Sequence, residues 1–201
     1  MGKVLLATVA VLGAYAVTAR ANDPEAVRKA LAALRDADPL VKVDEAKPGK
    51  PVVAVHFRPN YGKVRDDDLV RLKAFPNLRS VELPNKQFVT DAGLAHLAAH
   101  NQLEELCLNG TKVSAAGVVR FVKGRTNLQR LELSGVPLRD DDLASLKDLT
   151  ELCVLSLRGT LVTDKGVEHL QAFPKLRWLN LDTKGRISDA ALPHLKGLTA
   201  L

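Results

Sequence analysis

The sequence of 201 residues contains 46% hydrophobic, 26% charged and 4% aromatic side chains, and its formal net charge is +6. This composition is typical of one ordinary soluble domain and excludes low-complexity disorder. After residue 20 no apolar run reaches the roughly 18 residues of a membrane-spanning helix, which excludes a multi-pass membrane protein. The scarcity of aromatic rings argues against binding of single-stranded nucleic acid, which needs stacking platforms.

The N-terminal residues have the pattern of a secretory signal peptide. Lys3 gives a positive start, an apolar run extends from Val4 to Val17, and Ala19-Arg20-Ala21 supplies small residues at the cleavage positions. We therefore predict residues 1–21 as a signal peptide, cleaved after Ala21. The alternative is an uncleaved anchor, but the 14 apolar residues would cover about 21 Å of a bilayer core of about 30 Å.

Cleavage would also lower the net charge of the protein. Without Lys3 and Arg20, 27 basic and 23 acidic side chains remain, a formal charge of +4. The basic residues are scattered and form no block of five, so we expect no nucleic-acid partner. For a bacterial source the signal peptide predicts an exported protein, periplasmic or secreted.

An apolar frame, Leu-x-x-Leu-x-Leu, recurs along the chain at nearly constant spacing. Its copies are Leu78/Val81/Leu83, Leu103/Leu106/Leu108, Leu128/Leu131/Leu133, Leu152/Leu155/Leu157 and Leu176/Leu179/Leu181. Their first positions are 25, 25, 24 and 24 residues apart, and a divergent copy precedes them at Val52/Val55/Phe57. Each copy is followed by a second apolar set, such as Val89/Leu94/Leu97. The pattern predicts repeats of one short strand and one return helix, stacked into a curved parallel sheet.

The repeats resemble the leucine-rich repeat family, in the subtype Leu-x-x-Leu-x-Leu-x-x-Thr-x-Val-Thr-Asp-x-Gly-Leu. The best matches run from Leu103 to Val118 and from Leu152 to Val167, whereas Val136 replaces the motif threonine in another copy. The resemblance implies an α/β horseshoe-shaped solenoid, with a parallel sheet on the concave face and short helices on the convex face. It also implies a concave surface that binds another protein. The sequence has no phosphate loop, Gly-x-Ser-x-Gly elbow or dinucleotide fingerprint, so we expect neither enzymatic activity nor a cofactor.

The two ends of the repeat array differ in sequence. Residues 22–51 predict an N-terminal cap, a helix with Pro24 in its first turn followed by an edge strand from Leu40 to Val43, before the repeats at 52–201. No such cap follows the last repeat, so its leucines are expected to be exposed. Self-association near Leu198 and Leu201, or continuation into a longer array, is therefore expected.

The residues between the strand leucines are expected to form rows across the concave face, since neighbouring strands lie about 4.8 Å apart. The first row is Ala54, Ser80, Glu105, Arg130, Val154 and Trp178. The second row is His56, Glu82, Cys107, Glu132, Ser156 and Asn180. A third row is Arg58, Pro84, Asn109, Ser134, Arg158 and Asp182. From these rows we take seven candidate protein-binding residues: Glu82, Glu105, Arg130, Glu132, Arg158, Trp178 and Asn180.

Other chemistry is disfavoured by the same pattern. Paired glutamates could act in hydrolysis, but an open sheet face gives no burial to raise a carboxyl pKa. His96, His169 and His194 recur at one repeat position, and His56 and His100 have no cysteine or carboxylate at ligand spacing, so no metal site is expected.

Two further patterns could be taken for ligand or disulfide sites. The runs 66–68 and 140–142 of three aspartates replace the Thr-Asp-x-Gly turn and are expected to start helices rather than bind calcium. Cys107 and Cys153 lie two repeats apart, about 10 Å, beyond the roughly 7 Å that a disulfide allows between α-carbons. Both are expected to be free thiols.

The sequence thus predicts a non-enzymatic, exported module that binds another protein through its concave face. The alternative is a structural envelope component, or one end of a self-assembling array, without a foreign ligand. In the first class, the partner would be recognised by the carboxylates and by Trp178 as an aromatic anchor. The same residues also fit a solvated sheet face, on which the charges keep the edge soluble and Trp178 covers the uncapped end.

Overall fold

The computed structural model describes residues 24–201 of the chain. The predicted signal peptide, residues 1–21, lies outside the described residues. Within the described part, none of the helices has the length and apolar character needed to cross a bilayer.

The N-terminal segment of the described chain packs a helix and a strand against the first repeat. Helix α1 spans Pro24–Ala33, a 3-10 turn follows at Arg35–Ala37, and strand β1 spans Leu40–Val43. Leu34, at the end of the helix, is buried in the common core. Strand β1 pairs antiparallel with the first repeat strand, so it covers one edge of the sheet.

Within residues 24–201, the sheet contains seven strands in sequence order. After β1, the remaining strands are β2 (Val52–His56), β3 (Ser80–Glu82), β4 (Glu105–Cys107), β5 (Arg130–Glu132), β6 (Val154–Ser156) and β7 (Trp178–Asn180). All pairs from β2 to β7 are parallel, and the register sets equivalent residues of successive repeats side by side. The leucine-rich-repeat solenoid predicted from the 24–25-residue spacing is confirmed.

The segments that return to the next strand are short helices. The α-helices are α2 (Asp66–Leu69), α3 (Asp91–His96), α4 (Ala115–Val122), α5 (Asp140–Ala144), α6 (Asp164–Val167) and α7 (Leu192–Leu195). Further 3-10 helices occupy Val70–Ala74, Glu168–Ala172 and Asp189–Ala191. Two of the α-helices, α2 and α5, begin at the first residue of an Asp-Asp-Asp run, which confirms the helix-start interpretation of both runs.

The core lies between the sheet and these helices. Leu106, Leu131 and Leu155, the central leucines of three successive strands, are all 0% exposed. Truncating such a residue to alanine costs about 2–5 kcal/mol, because it leaves a cavity. Leu179 and Leu181 in the last repeat are only partly buried, since no further repeat covers them within the described chain.

A ladder of aspartates joins the starts of successive helices. In each step, one carboxylate accepts hydrogen bonds from the backbone N–H and the hydroxyl of a Thr or Ser in the next repeat, at 2.6–2.8 Å. The four pairs are Asp66–Thr90, Asp91–Ser114, Asp140–Thr163 and Asp164–Ser188. These bonds fix the rotation of one repeat on the next, so they hold the strands in register.

One junction lacks this pair. Ala115 stands where the carboxylate would be, and Arg139 stands where the next repeat would carry the hydroxyl. The Arg139 N–H instead donates to Asp142 of its own helix at 2.9 Å, and Arg65 of the first repeat does the same with Asp68 at 2.9 Å. Within the described chain, no aspartate of a preceding repeat accepts from the N–H of Arg65 or Arg139. Asp68 and Asp142, the third aspartates of the two runs, accept these hydrogen bonds instead.

Candidate functional site

The first two rows predicted for the concave face are present in the sheet. The strand register pairs Ala54 with Ser80, Ser80 with Glu105, and Glu105 with Arg130 in the first row, which continues to Trp178. It likewise carries the second row from His56 to Asn180. The concave face is therefore a ribbon of mostly polar side chains, whose order along the sheet is fixed by the backbone.

Side chains from three strands meet at the end of the ribbon nearest β1. The His56 Nε2 atom lies 2.7 Å from the Ser80 hydroxyl, and that hydroxyl donates to Glu105 Oε2 at 2.7 Å. On the other side of the ring, His56 Nδ1 lies 3.7 Å from Glu82 Oε1. The ring is only 11% exposed, and this burial lowers the pKa of His56 although Glu82 acts in the opposite direction. We call His56, Glu82 and Glu105 the histidine–carboxylate cluster.

The middle of the ribbon is organised around Glu132. Its carboxylate pairs with the Arg130 guanidinium and accepts a hydrogen bond from Asn109 Nδ2 at 2.5 Å. Cys107 Sγ lies 3.7 Å from the same carboxylate. Burial, together with the neighbouring Glu132 and Glu82, raises the pKa of the Cys107 thiol to about 12, so the thiol stays protonated and a poor nucleophile at neutral pH.

The far end of the ribbon is more open. The Trp178 indole is 47% exposed on the last strand. In the third row, Arg158 Nε donates to Asp182 Oδ2 at 3.2 Å, and both side chains are exposed. Asn180 lies in the second row and accepts a hydrogen bond from the Asp182 backbone N–H at 3.0 Å. This end offers one aromatic ring and one ion pair to an approaching molecule.

The candidate residues thus form two groups on one surface. Glu82 and Glu105 lie in the histidine–carboxylate cluster and Arg130 and Glu132 in the middle, whereas the other three lie at the far end: Arg158, Trp178 and Asn180. The first group lies on strands β3 to β5, and the second lies on and after strands β6 and β7, so the two groups occupy separate stretches of the ribbon.

The expectation that His56 has no carboxylate partner is wrong. It rested on spacing along the chain, whereas Glu82 and Glu105 come from the next two repeats, 26 and 49 residues later in sequence. Glu82 is the neighbour of His56 within the second row, whereas Ser80 and Glu105 reach His56 from the first row, and a search for ligand spacing along the chain considers neither kind of contact. Ser80, which joins His56 to Glu105, was missed as a functional residue for the same reason.

The remaining histidines and cysteines lie elsewhere. His96, His169 and His194 belong to the helical side of three different repeats, and His194 Nε2 lies 3.6 Å from Glu168 Oε1. Cys107 is buried and Cys153 is half-buried, and both are free thiols. His100 is buried with both ring nitrogens lacking a hydrogen-bond partner within the described chain.

Solved structures of other proteins align with this chain. One solved structure, an internalin C2 from Listeria monocytogenes, aligns with a TM-score of 0.52 at 19% identity, covering 89% of this chain and 91% of that one. The receptor kinase SOBIR1 ectodomain from Arabidopsis thaliana aligns with a TM-score of 0.46 at 15% identity, covering 84% and 95% of the two chains. No family model matches the sequence. The search of curated proteins gave no match either.

The first of these likenesses agrees with the repeat architecture described above. The chain therefore has the fold of leucine-rich-repeat proteins, a class built from stacked strand–helix units around one elongated core.

Proposed function

We propose that the protein is a non-enzymatic module that binds another protein through its concave face. The observation that carries this proposal is the fixed polar ribbon. Its side chains are held by hydrogen bonds and ion pairs between strands, and Trp178 is exposed at one end. A surface that is ordered before contact loses little side-chain entropy on binding. A half-exposed tryptophan is a residue type enriched at binding hot spots.

The charges of the ribbon favour a partner with a basic segment. Glu82, Glu105 and Glu132 lie on neighbouring strands, and Arg130 compensates Glu132 by a direct ion pair. The two remaining carboxylates lie beside His56, whose lowered pKa keeps its ring neutral at pH 7. Complementary charge on the partner would steer the encounter and set the register of binding.

The proposal is tested by charge reversal on the concave face. We expect Glu82→Arg together with Glu105→Arg to abolish crosslinked capture of a partner from native envelope extract, while the circular dichroism spectrum stays unchanged. The variant Trp178→Ala, which leaves the histidine–carboxylate cluster intact, is expected to weaken capture at least about tenfold, the order of a hot-spot loss.

The matched control reverses two exposed carboxylates away from the concave face, Asp67→Arg together with Asp148→Arg. Capture by this control is expected to equal that of the unaltered protein. Equal capture by the concave variants and the control would contradict the proposal.

A structural, self-associating role is the second candidate, and exposed apolar side chains near the last repeat favour it. Trp178, Leu192 and Leu201 are 47%, 56% and 49% exposed. Leu198, expected at such a contact, is only 5% exposed and packs inward. If Leu192→Arg alters the sedimentation coefficient while the concave variants leave every captured protein unchanged, this second role replaces the first.

We also propose that the protein is exported, on the sequence pattern of residues 1–21. Expression of the full chain in a bacterial host is expected to yield a periplasmic product whose N-terminus, by mass spectrometry, is Asn22. The change Ala19→Arg with Ala21→Arg removes the small residues that the cleavage step requires, so the mass of the uncleaved chain is expected. An unprocessed cytoplasmic product from the unaltered chain would contradict export.

A further inference from the structure

We propose that His56, Glu82 and Glu105 form a binding site for a divalent first-row transition-metal ion, with Zn²⁺ as the best fit. The three residues come from the neighbouring strands β2, β3 and β4. One ligand atom from each side chain lies within 4.8 Å of the other two. The site is thus assembled by strand register and does not depend on a loop.

The hydrogen bonds around His56 leave one ring nitrogen facing a carboxylate. The Ser80 hydroxyl has a single hydrogen, which it donates to Glu105 Oε2, so its oxygen accepts from Nε2–H of His56. In the neutral ring, Nδ1 then carries a lone pair and no proton. This lone pair faces Glu82 Oε1 at 3.7 Å. His56 Nδ1 and Glu82 Oε1 are thus two acceptors that face each other with no hydrogen between them. A cation bound between them would interact favourably with both.

The donor set matches the chemistry of Zn²⁺. One imidazole and two carboxylates are ligands that zinc accepts, and two carboxylates balance its double charge. In a tetrahedral site with bonds of about 2.0–2.2 Å, ligand atoms lie about 3.4 Å apart. The ligand atoms, which lie within 4.8 Å of one another, therefore need to approach by up to about 1.4 Å. Rotation about the flexible glutamate side-chain bonds supplies this movement while the strands stay in place.

Neighbouring cations limit the affinity. Lys42 and Arg130 are close enough to act electrostatically on His56. The Arg130 guanidinium pairs with Glu132 and also acts electrostatically on Glu82 and Glu105, so it competes with the metal for both carboxylates. We accordingly expect one Zn²⁺ per chain with micromolar affinity, and a remaining coordination position that water occupies.

The test is calorimetric titration of the purified protein with ZnCl₂, with Co²⁺ as a spectroscopic probe whose visible absorption reports tetrahedral nitrogen and oxygen ligands. We expect a stoichiometry of one, and a loss of affinity of at least about tenfold in His56→Asn, Glu82→Gln and Glu105→Gln. The matched control His96→Asn removes a histidine from the helical side and is expected to bind Zn²⁺ like the unaltered protein.

The site is overturned if Zn²⁺ does not bind, or if His56→Asn binds it unchanged. An equal loss in His96→Asn would also overturn it, because the metal would then be held by the helical-side histidines. Should His56→Asn fail to fold, Glu105→Gln decides, since this change keeps the shape of the side chain. Capture of a partner by Trp178→Ala measures the protein-binding proposal separately, because Trp178 lies outside the cluster.

Discussion

A glycine at the third residue of several repeat helices makes room for the aspartate ladder. A β-carbon added at Gly93, Gly117 or Gly166 would lie 2.4, 2.1 or 2.3 Å from a carboxylate oxygen of the preceding repeat. These distances are far shorter than van der Waals contact. The backbone of these glycines is ordinary helix, so the close approach of the neighbouring aspartate, and not an unusual dihedral angle, explains the residue type.

We expect Gly117→Ala to destabilise the protein by about 1–3 kcal/mol. The new β-carbon would meet Asp91 Oδ1 and displace the carboxylate from the Ser114 N–H and hydroxyl. Urea unfolding followed by circular dichroism measures the change. Gly197→Ala is the matched control, because a β-carbon there meets no atom within 4 Å, and its effect is expected to stay within about 0.5 kcal/mol. Equal free energies of unfolding for both variants would refute this explanation.

In the Thr-Asp-x-Gly turn, some roles of individual residues were predictable from the sequence and others were not. At Thr90 and Thr163 its position predicts a helix start, with threonine as the capping residue and aspartate at the positive end of the helix. The Thr90 hydroxyl accepts from the Ala92 N–H at 3.3 Å, whereas Thr163 precedes its helix without a side-chain cap bond. The bond that each aspartate makes to the next repeat was not predictable from one turn, since both partners had to be placed in three dimensions first.

At the scale of elements, the strands follow directly from the spacing of the leucines. A step of 24 or 25 residues places each Leu-x-Leu beside the previous one, so the rows of the concave face are predictable from repeat spacing alone. Contacts between rows were missed. The His56 ring contacts Glu82, its neighbour in its own row, and also Ser80 in the first row, and strand periodicity alone assigns no such diagonal partner as Ser80.

The return segments are less regular than the repeat pattern predicts. A single helix was expected in each repeat, but α2 and α6 contain four residues each and continue as 3-10 helices at Val70–Ala74 and Glu168–Ala172. The 3-10 helix rises about 2.0 Å per residue against 1.5 Å for the α-helix. Because each residue of a 3-10 helix rises further, the chain reaches the next strand with fewer residues. Apolar residues spaced by three or four fit both kinds of helix, so the sequence pattern does not distinguish them.

At the scale of the whole molecule, two buried histidines make stability depend on pH. Burial lowers the pKa of His56 and of His100, and for His100 the nearby Arg125 lowers it further. The unfolded chain therefore takes up protons near pH 6.5 that the folded chain does not. The contribution of the two histidines to the free energy of unfolding is fully present above this pH. It is lost as the pH falls toward their folded-state pKa values.

Urea unfolding at pH 7.5 and pH 5.5 is expected to show this loss, up to about 1.4 kcal/mol per pH unit and histidine. The variant His100→Gln removes one of the two groups, so the difference in unfolding free energy between the two pH values should shrink. His169→Gln is the comparison, because that ring is only partly buried on the helical side. An unchanged pH dependence in His100→Gln would rule out this histidine as a source.

The junction without an aspartate pair divides the six repeats into two blocks of three. Both blocks open with the same four residues, 65–68 and 139–142, and in both the first helix closes its own N–H with its third aspartate. The joint at Ala115 and Arg139 therefore has no aspartate bond on its helical side. On the sheet side, Asn109 still donates to Glu132 and accepts from the Ser134 N–H of the next repeat. Duplication or deletion of a whole block of three repeats would leave every aspartate of the ladder with a Thr or Ser partner in the following repeat, so the array can change length by three repeats without an unpaired carboxylate.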